Sequence, residues 1–330
     1  MSIIAAELKW YRSKVVTNTD TNGGKMSINE IADGVKNNIF PDISQAERLA
    51  GIVRYRKIFA KLTNAANEIL INPGFHLKDF TPAQDRVELF VGDHIDVQGD
   101  VTGSERMYGA ASLSENITAG SDALTVTLED ATQIIFEPTG NTVFIGDATN
   151  SEYHTNVSAS QVGDQVTLTL DTGSQIANNY LVGDSTRISS VIYGTLTELK
   201  SVVDAVSVAS AAGTFDDTLF PIIGDNLGAV EDTLTLTFTS ATDFNCTDLA
   251  ANTLGSGNIS GDFAPVNADY GTPYLTVPAA GWGGTFAVGD TVQIPLHPAS
   301  LGIWCKQTVP AGTDSFSGDS FVVRFGGESA

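Results

Sequence analysis

The chain has 330 residues, with 17 Lys/Arg against 39 Asp/Glu, a formal net charge of −22 at pH 7. A content of 42% hydrophobic and 17% charged residues is too apolar for wholesale disorder, and the length allows two or three separately buried cores. So acidic a balance argues against polyanion binding, and no stretch approaches the roughly 18–20 consecutive apolar residues of a membrane span.

The opening stretch MSIIAAELKWYRSK lacks an apolar run long enough for a signal peptide. We therefore expect a chain kept in a cytoplasm-like compartment. Cys246 and Cys305 lie far apart with no metal-type spacing, which fits two buried free thiols. Charge is unevenly placed: residues 1–90 hold 12 Lys/Arg and 10 Asp/Glu, whereas residues 91–330 hold 5 and 29. This asymmetry, with Thr, Ser, Asp, Asn and Gly crowding the later sequence, suggests three parts. They are an N-terminal α+β assembly module over 1–90, an acidic β-domain over 91–200 and a second acidic β-domain over 201–330.

Two tetrapeptides match the capping box, SINE at 27–30 and SQAE at 44–47, and each predicts a helix start. The second helix should stop at Gly51. After Gly51 the pattern changes to VRYRKIFAKL, which alternates imperfectly as a strand, and NEILINPGFHL is similar. With the polar TNAAN between them, the two are expected to form a long hairpin. From residue 86 onward short alternating runs such as RVELFV, ALTVTL, QVTLTL, DTLTLTF and DTVQIPL are bounded by Gly, Asp, Asn or Pro. The expected fold class is thus mainly β with a small α+β N-terminal module, followed by several short-stranded β-sandwich or barrel-like modules. TELKSVVDAVSVASAAG, at 197–213, is the one later stretch with some helical character. The tripeptide VGD occurs at 91–93, 162–164, 182–184 and 288–290, and IGD at 145–147 and 223–225. It reads as a turn in which Gly takes positive φ, Asp bonds the next backbone, and Val or Ile anchors in the core.

No catalytic, phosphate-loop or dinucleotide motif is present, so neither an enzyme nor a cofactor is expected. His76, His94, His154 and His297 are isolated in sequence, and no metal site is expected from them. The oxygen-rich GDHIDVQGD (92–100) and GDATNSEYH (146–154) lack the EF-hand pattern and read as plain turns, with Ca²⁺ binding the sharper alternative. Trp282, Trp304 and Tyr274 could make a sugar-stacking platform, though core packing explains them as well.

Against this acidic background, residues 48–61 contain Arg48, Arg54, Arg56, Lys57 and Lys61. Phosphate contact would suit them, with Tyr55 and Phe59 for stacking, but the body behind would repel a nucleic acid across a Debye length of about 8–10 Å. A solvated strand face is the plainer alternative. The favoured reading places Arg48, Arg54, Tyr55, Arg56, Lys57 and Lys61 at an interface between copies, meeting the acidic body of the next subunit.

The run NGGKMS…IADGVKNNIFPDISQAERLAGIVRYRKIFAKL, at 22–62, resembles virion proteins of Mu-like and related contractile-tailed bacteriophages. The C-terminal HPASLGIWCKQTVPAGTDSFSGDSFVVRFGGESA, at 297–330, is similar to the end of such proteins. Together they span about a quarter of the chain and bring no catalytic residues. The resemblance implies a structural component of the particle, assembled in the host cytoplasm. Its place would be a homo-oligomeric collar or neck ring at the head–tail junction, or the tail, with copies of itself and other virion proteins as partners. A host-surface or carbohydrate-binding module, or a capsid-decoration protein, is the alternative.

Overall fold

The computed structural model describes residues 2–329 and is almost entirely β, with 26 strands, one six-residue α-helix and four single 3-10 turns. All strand pairings in its sheets are antiparallel. The mainly-β expectation holds, and both sandwich and barrel modules are present.

The first unit is a two-sheet base. Its five-stranded sheet runs in the order Gly23–Glu30, Leu8–Val15, Ile52–Leu62, Ser300–Val309, Arg86–Gly92. Leu70–Asp79, flanked by Glu198–Leu199 and Val322–Ser329, forms the second sheet. Ile58, Ala60, Val87, Leu89, Ile303 and Cys305 from one sheet meet Phe75 and Leu77 from the other in a common core. Such interleaving of inward residues is how two sheets share one dry layer.

Two modules interrupt this base. Strands Ala110–Leu113, Ala123–Thr127, Thr142–Gly146, Ser151–Val162, Gln165–Leu170 and Arg187–Val191 close into a barrel around Leu124, Val126, Val143, Ile145, Val166, Leu168 and Ile188. Closure removes the exposed edges that an open sheet of this length would present. The third module is built on Thr291–His297, Asp232–Phe238, Asp243–Thr247 and Thr253–Asn258. Its core includes Leu234, Leu236, Phe238, Phe244, Val292 and Ile294, and Phe286 stacks on Phe238 at 3.8 Å.

Several sequence expectations are corrected here. SINE is strand, not helix: Ser27 Oγ donates to the Arg12 carbonyl instead of capping a turn, and Met26 pairs with Ser13 in the sheet. SQAE does cap a helix, Gln45–Ala50, with reciprocal Ser44 and Glu47 bonds and Gly51 ending it at φ 75°. The two strands Ile52–Leu62 and Leu70–Asp79 exist but form no hairpin, because each sits in a different sheet. Segment 197–213 is a series of short strands. In the VGD turns at 162–164 and 288–290 glycine does take positive φ, but Val162 and Val288 are exposed, so the valine is no anchor. The module boundaries change too. Residues 300–309 and 322–329 return to the base, so neither 1–90 nor 201–330 is self-contained. The reason is pairing: without Ser300–Val309, one whole edge of backbone N–H and C=O groups of Ile52–Leu62 would be left unpaired.

Candidate functional site

The basic strand Ile52–Leu62 was the sequence's best candidate for a contact surface, and it is the centre of the base sheet. Leu8–Val15 pairs with it on one side and Ser300–Val309 on the other. Alternation sends its cations to both faces, and both faces are covered.

On the face shared with Ile58 and Ala60, Arg54 is 2% exposed. Its guanidinium donates twice to Gln307 Oε1 (2.7 and 3.1 Å) and once to the Pro41 carbonyl (3.1 Å), with Glu47 Oε1 at 3.7 Å. Gln307 lies directly across the ladder and passes the chain on, donating from Nε2 to Asp85 Oδ2 at 2.6 Å. Arg56 donates to the Thr17 and Tyr55 carbonyls, and Phe40 packs under both guanidiniums at 5.6–5.7 Å. The NNIFPD stretch is thereby explained: it wraps the arginines and supplies a ring and a carbonyl to hold them.

The opposite face carries Tyr55, Lys57, Phe59 and Lys61. Lys57 Nζ donates to the Asp96 carboxylate, to the Asp96 carbonyl (3.0 Å) and to the Gly24 carbonyl (3.1 Å). The other Asp96 oxygen accepts the Trp304 indole N–H at 2.7 Å. Trp304 is fully buried, and a Cβ at either Gly23 or Gly92 would come within 2.7 Å of its ring, which accounts for glycine at both positions. Lys61 Nζ donates to the Leu227 carbonyl of the third module at 2.7 Å and sits 4.0 Å over the Tyr270 ring. Burial pulls its pKa down to about 8, opposed only by Asp225. Arg48 is half-buried and donates to the Ile43 carbonyl, and Tyr55 is half-buried edge-on to Phe90 and Trp304.

The expected interface residues Arg48, Arg54, Tyr55, Arg56, Lys57 and Lys61 are thus engaged inside the protomer, and four of them are buried. A cation in an apolar interior must be compensated by nearby acceptors, and these acceptors belong to the same chain. The sequence concentrated its positive charge here to hold loops and a neighbouring module onto one strand. Reversing charge at Arg54, as Arg54→Glu, is expected to lower the protomer's own stability by about 3–5 kcal/mol, the cost of an uncompensated buried charge. Urea unfolding of a dilute, monomeric sample checks this. An unchanged midpoint would restore the surface reading.

The other sequence candidates fall into place as packing. Asp147 Oδ1 accepts from the Thr149 and Asn150 amides, which makes 147–150 a plain turn, while the rest of the second oxygen-rich stretch, from Ser151, is barrel strand. Trp282 is half-buried in an aromatic cluster with Phe215, Phe238, Phe244 and Phe286, so it has no open stacking face with Trp304. Both cysteines are free and buried. What sequence reasoning missed is that His94, Glu231 and His297 come together. More than sixty positions separate each from the next in sequence, and no local spacing signals the cluster.

No family model matches the chain, and no curated protein matches it. Among solved structures, FlgL of Xanthomonas campestris aligns at 14% identity and a TM-score of 0.23, over 53% of this chain and 49% of FlgL. The chain thus spans about half the length of that protein. The VP16–VP17 complex of bacteriophage P23-77, the two major capsid proteins of that phage, aligns at 8% identity and a TM-score of 0.17, over 78% of this chain and 89% of that one. VP17 alone gives the same identity and TM-score. Superpositions this loose establish no common fold.

Proposed function

We propose that the chain is a non-enzymatic structural protein of a tailed bacteriophage particle, with the base as its mounting unit and the barrel and third module as projecting additions. One observation carries the reading. The two segments that resemble phage virion proteins, 22–62 and 297–330, are far apart in sequence, yet Ile52–Leu62 and Ser300–Val309 are adjacent strands paired from Lys61↔Ser300 to Ile52↔Val309. The resemblance therefore covers one physical unit, while the unfamiliar middle of the chain supplies most of the two inserted modules. A particle component that varies outside and keeps its attachment would be organised this way.

The finer proposal is a homo-oligomeric collar or neck ring at the head–tail junction. With the strand's cations engaged internally, ring contacts fall on other surfaces of the base, and assembly should survive high salt. Capsid decoration is the second reading, favoured by the two modules displayed as insertions from one base. Electron microscopy of the phage particle, with this chain located in the map, tests both. Density for the chain as a closed ring at the neck is the expected result. Copies scattered over capsid faces would move the assignment to decoration, and absence from the particle would overturn it.

A further inference from the structure

His94 lies in the loop that follows strand Arg86–Gly92 of the base. Glu231 immediately precedes Asp232–Phe238, and His297 ends Thr291–His297, both in the third module. Asp232 pairs with Leu296, so Glu231 and His297 stand on neighbouring ends of adjacent strands. Three residues later, at Ser300, the chain has already entered the base sheet. The cluster therefore sits where the polypeptide crosses from one unit to the other.

Its hydrogen bonds fix the orientation of each ring. His94 Nε2 lies 3.0 Å from the Ser300 carbonyl, which can only accept, so Nε2 carries a proton and Nδ1 turns the other way. That Nδ1 is 3.4 Å from Glu231 Oε2. His297 Nε2 lies 3.1 Å from the Asp204 carboxylate, which places a proton there, and His297 Nδ1 points at the same Glu231 oxygen from 2.8 Å. Both imidazoles thus turn Nδ1 inward onto one carboxylate, and both have Nε2 held by an acceptor behind them.

The ring centroids are 6.1 Å apart, and both Nδ1 atoms face one carboxylate oxygen. A single divalent cation at that meeting point would be shared by all three atoms. The ligand atoms lie within 4.8 Å of one another, and a tetrahedral zinc with bonds near 2.0–2.1 Å separates its ligand atoms by roughly 3.3–3.4 Å. Two imidazoles with one carboxylate select a borderline metal over Mg²⁺ or Ca²⁺, which prefer all-oxygen shells. The Ser300 carbonyl and Asp204 carboxylate behind the rings are the outer partners that orient metal-bound histidines.

We propose that His94, Glu231 and His297 form a His₂Glu site for a divalent transition metal of the zinc class, fastening the third module to the base. Water completes the coordination, since all three side chains are only half-buried. The site is independent of the virion assignment and stands or falls separately.

The test uses the full chain, stripped with a chelator and titrated with Zn²⁺ in calorimetry and thermal melting. One Zn²⁺ per chain with micromolar or tighter affinity is expected, together with a higher melting temperature. Glu231→Gln, close to isosteric, should weaken binding at least 100-fold, and Asp204→Asn, which touches no metal, by 10–100-fold. Because the acidic surface can bind zinc weakly elsewhere, Co²⁺ is added to the wild-type chain as a reporter. Intense visible bands of four- or five-coordinate cobalt, absent in His94→Ala, support the site. Only weak six-coordinate absorption, or equal affinity in wild type and Glu231→Gln, would overturn it.

Discussion

Replacing Asp96 with alanine is expected to destabilise the protein by about 3–5 kcal/mol, the typical cost of leaving a buried charge without its partner. Asp96 reaches into the base from the loop after Arg86–Gly92 and uses both carboxylate oxygens, one for the Lys57 ammonium and one for the Trp304 indole. Lys57 has a fully buried side chain, so its charge would be left with two backbone carbonyls and the faces of Phe59 and Trp304. Burial already pulls the Lys57 pKa down, and the hydrogen bond and charge of Asp96 oppose that pull. Asp96→Asn keeps an acceptor for one donor and should lose less. Lys57→Met combined with Asp96→Leu removes both charges, and the pair should cost less than the sum of the single changes, since neither leaves the other orphaned. Equilibrium urea unfolding of the wild type, Lys57→Met, Asp96→Leu and the double variant reads the cycle. A strictly additive result would mean that Lys57 and Asp96 are not coupled.

That prediction rests on a feature half legible in sequence. The cluster of cations at 48–61 was visible, and so was the strand beneath it. What was not visible was the direction of the side chains, because the acceptors that neutralise them are remote: Asp96, Gln307, Thr17 and Leu227. Two identical-looking capping boxes make the same point. Ser44 and Glu47 bond each other and start a helix, since none of residues 45–50 is buried and they have no sheet to join. Ser27 stands in the same pattern, but residues 23–30 have Leu8–Val15 beside them, and ladder pairing outweighs a local cap. Barrel strands such as 123–127 and 165–170 were legible because one face is buried and alternation survives in ALTVTL and QVTLTL, whereas 110–113, 151–162 and 187–191 offered no comparable run. Chain order was harder. A strand at 300–309 that returns between 52–62 and 86–92 is a non-local pairing that no window of sequence contains. The same remoteness hid His94, Glu231 and His297, which meet only because that crossing is made.

A second large effect is expected at low pH, and it centres on His76. The residue lies on Leu70–Asp79, 1% exposed, with its ring stacked on Phe144 of the barrel at 4.3 Å and Tyr153 edge-on at 5.8 Å. Neither ring nitrogen has a hydrogen-bond partner. Burial, assisted by the nearby charges of Arg324 and Lys78, pushes its pKa down to about 3 from an ordinary 6.5. Between those values the unfolded chain takes up a proton that the folded chain refuses, so stability falls as pH falls through 6.5 toward 3. At about 1.4 kcal/mol per pH unit, the loss between pH 7 and pH 5 is roughly 2 kcal/mol, and it approaches 4–5 kcal/mol near pH 3. His76→Phe keeps the stack on Phe144 and removes the titration. The carboxylates, the other three histidines and the overall charge of −22 also respond to acid, but they do so equally in both proteins. The measured quantity is therefore the difference in unfolding free energy between variant and wild type at pH 7, 6 and 5. It should widen by about 2 kcal/mol over that range in favour of phenylalanine. A constant difference would show that His76 is protonated in the folded protein, and that its seat between the base and the barrel is open to water.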